Sequence, residues 1–274
     1  MEIAGILLSS ALISAVVGAI AGHFSQRRLA ANQAQIDYEL AAKKRLYEAL
    51  GPLRFQLLVA ARDVVRRVRP HRTERWNMTP DGFYAGSFIY RLLRPLALAE
   101  LVERQMAVVD FSVDPTGMEL LRFEAAAYRM LTSSDPLPYH GHLDWSRETQ
   151  HVFRDNLRLA ASALIAVGPD GETRVVDYSE FLERQTVNHP TLAPVRRLFA
   201  GCSHNLTENA VWWVRIVGYA YACQWLLEVQ GKQLGFGVQT LDVKAMIAAV
   251  KDAEVLTHTG DYPAVYDKVI AEML

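Results

Sequence analysis

The chain has 274 residues, 51% of them hydrophobic and 22% charged, with a formal net charge of −1. That balance excludes an intrinsically disordered chain, which lacks the apolar surface needed to offset its own conformational entropy. It contains no repeat or low-complexity tract. Its two cysteines, Cys202 and Cys223, lie in apolar helical patterns and read as reduced core residues rather than a disulfide framework.

Residues 3–22, IAGILLSSALISAVVGAIAG, carry no charge. At ~1.5 Å per residue they match the ~30 Å hydrocarbon core of a bilayer, which predicts an N-terminal transmembrane helix. At 100° per residue, Ser10, Ser14, Gly18 and Gly22 fall in one column, with Ala11, Ala15 and Ala19 beside it. Leu12, Ile13, Val16, Val17 and Ile20 lie opposite. Small residues at every fourth position let two helix backbones approach in lipid, so this column is the predicted membrane-helix interface. Before the helix stands only Glu2. After it come Arg27 and Arg28, then Lys43, Lys44 and Arg45. Basic residues stay on the cytoplasmic side, which predicts a single-pass bacterial inner-membrane protein with its N-terminus out and its body in the cytoplasm. Ala19-Ile20-Ala21 has the small-x-small form of a signal-peptide cleavage site. A signal peptide, however, carries positive charge ahead of its apolar run, and this chain has Glu2 there.

Residues 23–75 hold twelve Lys and Arg against five Asp and Glu, and residues 76–274 hold seventeen against twenty-four. A basic helical stalk, +7, therefore joins an acidic helical body, −7. Residues 26–50 are rich in strong helix formers. A heptad seam runs through Leu29, Ile36, Leu40, Tyr47 and Leu50, interrupted by Gln33 and Lys43. Gly51-Pro52 predicts a kink or break at 51–52. A second helix is expected over 53–69, with Leu57, Leu58, Ala61, Val64, Val65 and Val68 on its apolar side. Arg62, Arg66, Arg67 and Arg69, followed by Arg72 and Arg75, form a basic set. Their opposite sign to the body favours an intramolecular or intersubunit acidic partner. A phosphate-bearing ligand is the alternative, and nucleic acid is the least favoured.

Residues 70–80 read as a polar loop. The body, 76–274, reads as a bundle of helices: over 83–110 with a bend at Pro95, over 118–131, and over 144–167 with Asp144 as N-cap. Further helices are expected near 178–185, 190–199, 207–230, 241–255 and 262–273. Gly168-Pro169-Asp170-Gly171 is a turn. Residues 173–176 have strand character with no obvious partner, and an isolated strand is not stable. Residues 208–227 are apolar almost all round. Arg215 and Gln224 sit inside this run, and an arginine near a bilayer centre costs about 2.5 kcal/mol or more. The run therefore reads as the buried central helix of a bundle rather than a second membrane span. The whole predicts an all-α fold: an N-terminal transmembrane helix, a long stalk helix and a cytoplasmic helical bundle.

The run GSFIYRLLRPLALAELVERQMAVVDFSVDP, residues 86–115, resembles a group of uncharacterised bacterial proteins with one N-terminal membrane helix and a helical cytoplasmic body. The resemblance implies architecture only. His140-Gly141-His142-Leu143-Asp144 has a metal-ligand spacing suited to zinc or a related divalent ion. It is similar to the first motif of metallo-β-lactamase-like hydrolases, which ends in a further histidine where this chain has Trp145, and which follows a strand this sequence lacks. The competing reading is a loop with two exposed histidines and a capping aspartate. His151, Phe153, Asp155, Asn156 and Arg158 resemble the Fic motif of AMP-transferring enzymes, without the glycines that cradle its phosphates. There is no phosphate-binding G-x-x-x-x-G-K-[ST], no G-x-S-x-G and no cysteine pair at zinc spacing.

The leading expectation is a non-enzymatic module anchored in the bilayer: a scaffold or effector that forms homo-oligomers, needs no cofactor and engages a protein partner. Signalling and phage-defence systems use such parts, by analogy. The alternatives are a membrane-anchored metal-dependent hydrolase using His140, His142 and Asp144, and a sensor of a phosphorylated ligand using the arginine set.

Overall fold

The computed structural model describes residues 2–72, 83–107, 114, 116–137, 150–186, 190–193, 195–196, 209–237, 240–250 and 261–273. The side chains of residues 2–21, 24, 71, 72, 116 and 184–186 fall outside that description. The chain is mostly helical, and it divides into two compact units, Met1–Glu48 and Ala49–Leu274.

Helix α1 spans Glu2–Val68. Along the first unit its described surface is largely exposed, and spacing-of-four pairs support it. Gln33 Nε2 donates to Asp37 Oδ1 at 2.9 Å and Gln35 Nε2 to Glu39 Oε1 at 2.9 Å. Of the kink or break expected at Gly51-Pro52, the break does not occur: α1 runs through it, and the helix anticipated over 53–69 is its last part. The proline removes one backbone hydrogen bond. Burial of Leu57, Leu58, Ala61, Val64, Val65 and Val68 on the same helix offsets that loss. Among the described residues, no helix is long and apolar enough to cross a membrane. The span expected at 3–22, with its Ser10, Ser14 and Gly18 column, rests on side chains outside those residues. Gly22 is exposed, with no atom within 4 Å of where a Cβ would sit.

The core of the second unit is built around a helix over Ala210–Leu226, numbered α6 below. Before it come α2 (Phe83–Met106), α3 (Thr116–Thr132), α4 (Arg154–Ser162), β1 (Ile165–Val167), β2 (Thr173–Val175) and α5 (Tyr178–Thr186). After it come α7 (Val243–Ala248) and α8 (Tyr262–Ala271). Helix α6 packs on α3, α7 and α8, and α2 packs on α3, α4 and α5. Because α6 is apolar almost all round, it is buried along most of its surface, with Tyr221 and Trp225 half-buried. Three of its long polar side chains reach backbone carbonyls of neighbours. Trp213 Nε1 donates to Met246 O at 2.9 Å, Tyr219 Oη to Leu92 O at 3.0 Å, and Arg215 Nη1 to Ser133 O at 2.5 Å. Arg215 is fully buried, and desolvation lowers its guanidinium pKa to about 10. Gln150 Oε1 caps the start of α6, accepting from Val211 N at 2.8 Å. Pro95 lies inside α2 and leaves the carbonyl of Arg91 without its helical donor. The neighbouring Leu92 carbonyl is the one that Tyr219 reaches.

Two expectations around residues 144–176 fail. The helix anticipated through 167 ends at Ser162, and the strand anticipated without a partner has one. β1 and β2 pair antiparallel, with Ile165 opposite Val175 and Val167 opposite Thr173. The turn explains both. Gly171 adopts a left-handed φ of 82°, Gly171 N donates to Gly168 O at 3.0 Å, and Gly168 N donates to Glu172 O at 2.7 Å. That closure pulls β-branched Ile165 and Val167 out of the helix and into a ladder. Next, α5 begins with a reciprocal cap: Asp177 Oδ1 accepts from Glu180 N at 2.9 Å, and Glu180 Oε2 accepts from Asp177 N at 2.9 Å. Tyr90 Oη donates to Val176 O at 3.0 Å and ties the hairpin to α2.

Candidate functional site

Of the sites expected from sequence, the exposed seam of α1 is described in most detail. Leu29 is 65% exposed, Ile36 50%, Leu40 62% and Tyr47 53%. At 3.6 residues per turn these four lie within an arc of about 40°. Leu50, the last seam position, is buried. Large aliphatic and aromatic side chains repeated along one stripe mark an interaction surface when they stay exposed. A shallow open depression lies on this face, lined by Leu40, Lys43, Lys44, Tyr47 and Glu48.

The arginine set separates into two groups. Arg62 is held in the body: its guanidinium sits 5.7 Å from the centre of the Phe236 ring, and Nη2 lies 3.8 Å from Asp63 Oδ1. Arg94 reaches the other oxygen of Asp63 at 3.9 Å. Arg67 Nη2 donates to Tyr84 O at 3.3 Å, with its guanidinium 5.8 Å from the Tyr84 ring centre. Arg66 and Arg69 are exposed. The side chain of Arg72 and all of Arg75 fall outside the described residues, so the six arginines are not shown to converge on one ligand.

The metal-spaced cluster His140, His142 and Asp144 also lies outside the described residues. Among the described ones, no group of three or more His, Cys, Asp or Glu is placed to hold a metal ion. Cys223 is a buried free thiol in α6, its pKa pushed up by burial. Of the Fic-like stretch, residues 154–158 are the first turns of α4. Phe153 Cα precedes them in extended backbone, and the Phe153 ring meets the His151 ring edge-on at 4.8 Å.

One cluster in the body escaped the sequence reading. It joins α2, α3 and α4 through charges placed on buried helix faces. From α2, Glu100 accepts from Arg104 Nη2 at 2.5 Å and from Ser162 Oγ at 2.6 Å, and Glu103 pairs with Arg158 of α4. From α3, Glu124 is 7% exposed and Tyr128 1%. The Arg154 guanidinium sits 5.5 Å from the Tyr128 ring centre. No described residue hydrogen-bonds the buried Tyr128 hydroxyl. Burial pushes the Glu124 carboxyl up to about 7; Glu103 adds to that and Arg158 opposes it. The cluster can therefore hold a proton on Glu124 near neutral pH. A signal for it was present in the sequence. Glu124 shares a helical stripe with Leu120, Ala127, Tyr128 and Leu131, all buried, so a charge stands where the period calls for an apolar residue.

No protein-family model, curated protein or solved structure matches this chain.

Proposed function

We propose that this protein is a single-pass, membrane-anchored interaction module that self-associates through its stalk, with a helical body that serves as scaffold or effector. The observation that carries the reading is the exposed apolar seam of Leu29, Ile36, Leu40 and Tyr47. In the sequence this seam follows directly on the charge-free residues 3–22, with Arg27 and Arg28 between them. A stripe of this kind on an otherwise polar helix costs solubility unless another chain covers it. The charge-free stretch matches the bilayer core in length, and the Arg27/Arg28 flank sets against Glu2 the asymmetry of an N-out, C-in topology. In the small-residue column, Ser10, Ser14, Gly18 and Gly22 give the anchor a face that suits helix pairing in lipid.

The reading predicts that the full chain pellets with inner membranes and resists an alkaline wash, whereas a chain lacking residues 3–22 stays in the supernatant. Protease added to intact cells should leave the body uncut, and lysis of spheroplasts should expose it. A full chain that remains soluble would refute the anchorage, and a body cut in intact spheroplasts would refute the orientation.

A further inference from the structure

The stalk seam has a register, and that register names its partner. Taking Leu40 and Tyr47 as a positions places Leu29, Ile36 and Lys43 at d, with Gln26 and Gln33 at the remaining a positions. In a parallel pair of such helices, a side chain at d enters a hole formed on the facing helix by the residues a, d, e and the next a. For the d position at 43, those four are Leu40, Lys43, Lys44 and Tyr47. These are four of the five residues that line the depression on this face; the fifth is Glu48. In such a pair the hole lies opposite the partner copy's own position 43, and because it carries Lys43 and Lys44 the entering lysine meets like charge unless its ammonium turns outward. The aliphatic stem of that lysine would lie between Leu40 and Tyr47, and its ammonium would meet Glu48 at the rim. The flanking charges agree. Glu39 falls at g and Lys44 at the following e, the two positions that face each other across a parallel, in-register pair. Glu48 lies 3.9 Å from Lys44 of its own helix, with both side chains more than 60% exposed (77% and 65%), so this intrahelical contact is a loose one.

We propose that the α1 seam from residue 26 to residue 47 packs against the same seam of a second copy of this chain, parallel and in register, as a short coiled coil. The parallel sense rests on the anchorage proposed above, because two copies entering from one membrane run in one direction. The polar layers at Gln26, Gln33 and Lys43 make the pairing weak and register-specific rather than strong.

Cysteine cross-linking of the full chain in detergent tests this. Leu29→Cys and Tyr47→Cys, made singly, sit near opposite ends of the seam. Tyr38→Cys sits about 180° from it. Under mild oxidation, each seam variant should give a disulfide-linked dimer at least about fivefold above Tyr38→Cys, with the wild type as the background for Cys202 and Cys223. Cross-linking of Leu29→Cys to Tyr47→Cys only when the two are mixed would show an antiparallel pair and overturn the proposal. Equal yields from all three positions, or none from the seam, would overturn it as well. If the chain is oligomeric by mass yet the seam variants fail, the register falls and the interaction module stands. If the chain is monomeric by mass, both fall.

Discussion

Gly218→Val should destabilise the body by about 3 kcal/mol, within the upper range for overpacking a buried site. A Cβ at Gly218 would lie 2.9 Å from Met130 Sδ and 2.9 Å from Tyr266 Cε1, closer than real Cβ contacts allow. Met130 can move its sulfur. Tyr266 is fully buried and pinned, because its hydroxyl donates to Val214 O at 2.8 Å. Any shift of that ring breaks a buried hydrogen bond or pushes α8 off α6. Glycine costs a helix interior roughly 1 kcal/mol relative to alanine, so its presence here buys a close helix approach. The loss is a large share of a typical domain stability of 5–15 kcal/mol. Thermal melts of the full chain in detergent should show a clear drop for Gly218→Val and a smaller one for Gly218→Ala. An unchanged melting temperature for both would mean that α6 and α8 do not meet as described.

Glu124→Gln should stabilise the protein at pH 8 and leave it nearly unchanged at pH 4. In the folded chain the carboxyl titrates near pH 7, against an ordinary value of 4.5. Between those values the folded state keeps a proton that the unfolded state has lost. Stability therefore falls as pH rises through that window, and above about pH 7 the whole penalty is present. A shift of this size corresponds to about 3 kcal/mol, at 1.36 kcal/mol per pH unit. Glutamine keeps the shape of the protonated acid and removes the titration. The checking measurement is the difference between variant and wild-type unfolding free energies, followed by denaturant melts at pH 4, 6 and 8. A difference that does not grow with pH would show that Glu124 is charged and satisfied in the fold.

Different physics explains what was legible in the sequence and what was not. The central helix was legible because Arg215 and Gln224 inside an otherwise apolar run argue for protein rather than lipid around it, and the helix is buried in the body. The all-α class followed from helical periodicity over most of the chain. The unbroken course of α1 through Pro52 was not legible, because the loss at a proline is local while the offsetting burial of Leu57, Leu58 and Val64 depends on how the rest of the body packs over them. Nor was the hairpin: strands of three residues carry too little pattern, and the pairing depends on the left-handed Gly171. The charged cluster was missed for a third reason. Glu124 interrupts the apolar stripe of Leu120, Ala127, Tyr128 and Leu131, but the Glu100, Glu103 and Arg158 around it come from α2 and α4, and no local pattern joins them. For the arginine set, sequence proximity did not show the separate surroundings of its members: Arg62 lies against Phe236 and Arg67 against Tyr84.

The mass of the full chain in detergent, measured by light scattering with the detergent contribution subtracted, tests the central proposal most directly. An interaction module that pairs through its anchor and stalk should give at least twice the mass of one chain at micromolar concentration, and it should shift toward one chain when Ile36 and Leu40 are both changed to Glu. A wild-type chain with the mass of a single copy under conditions where the body remains folded would contradict it.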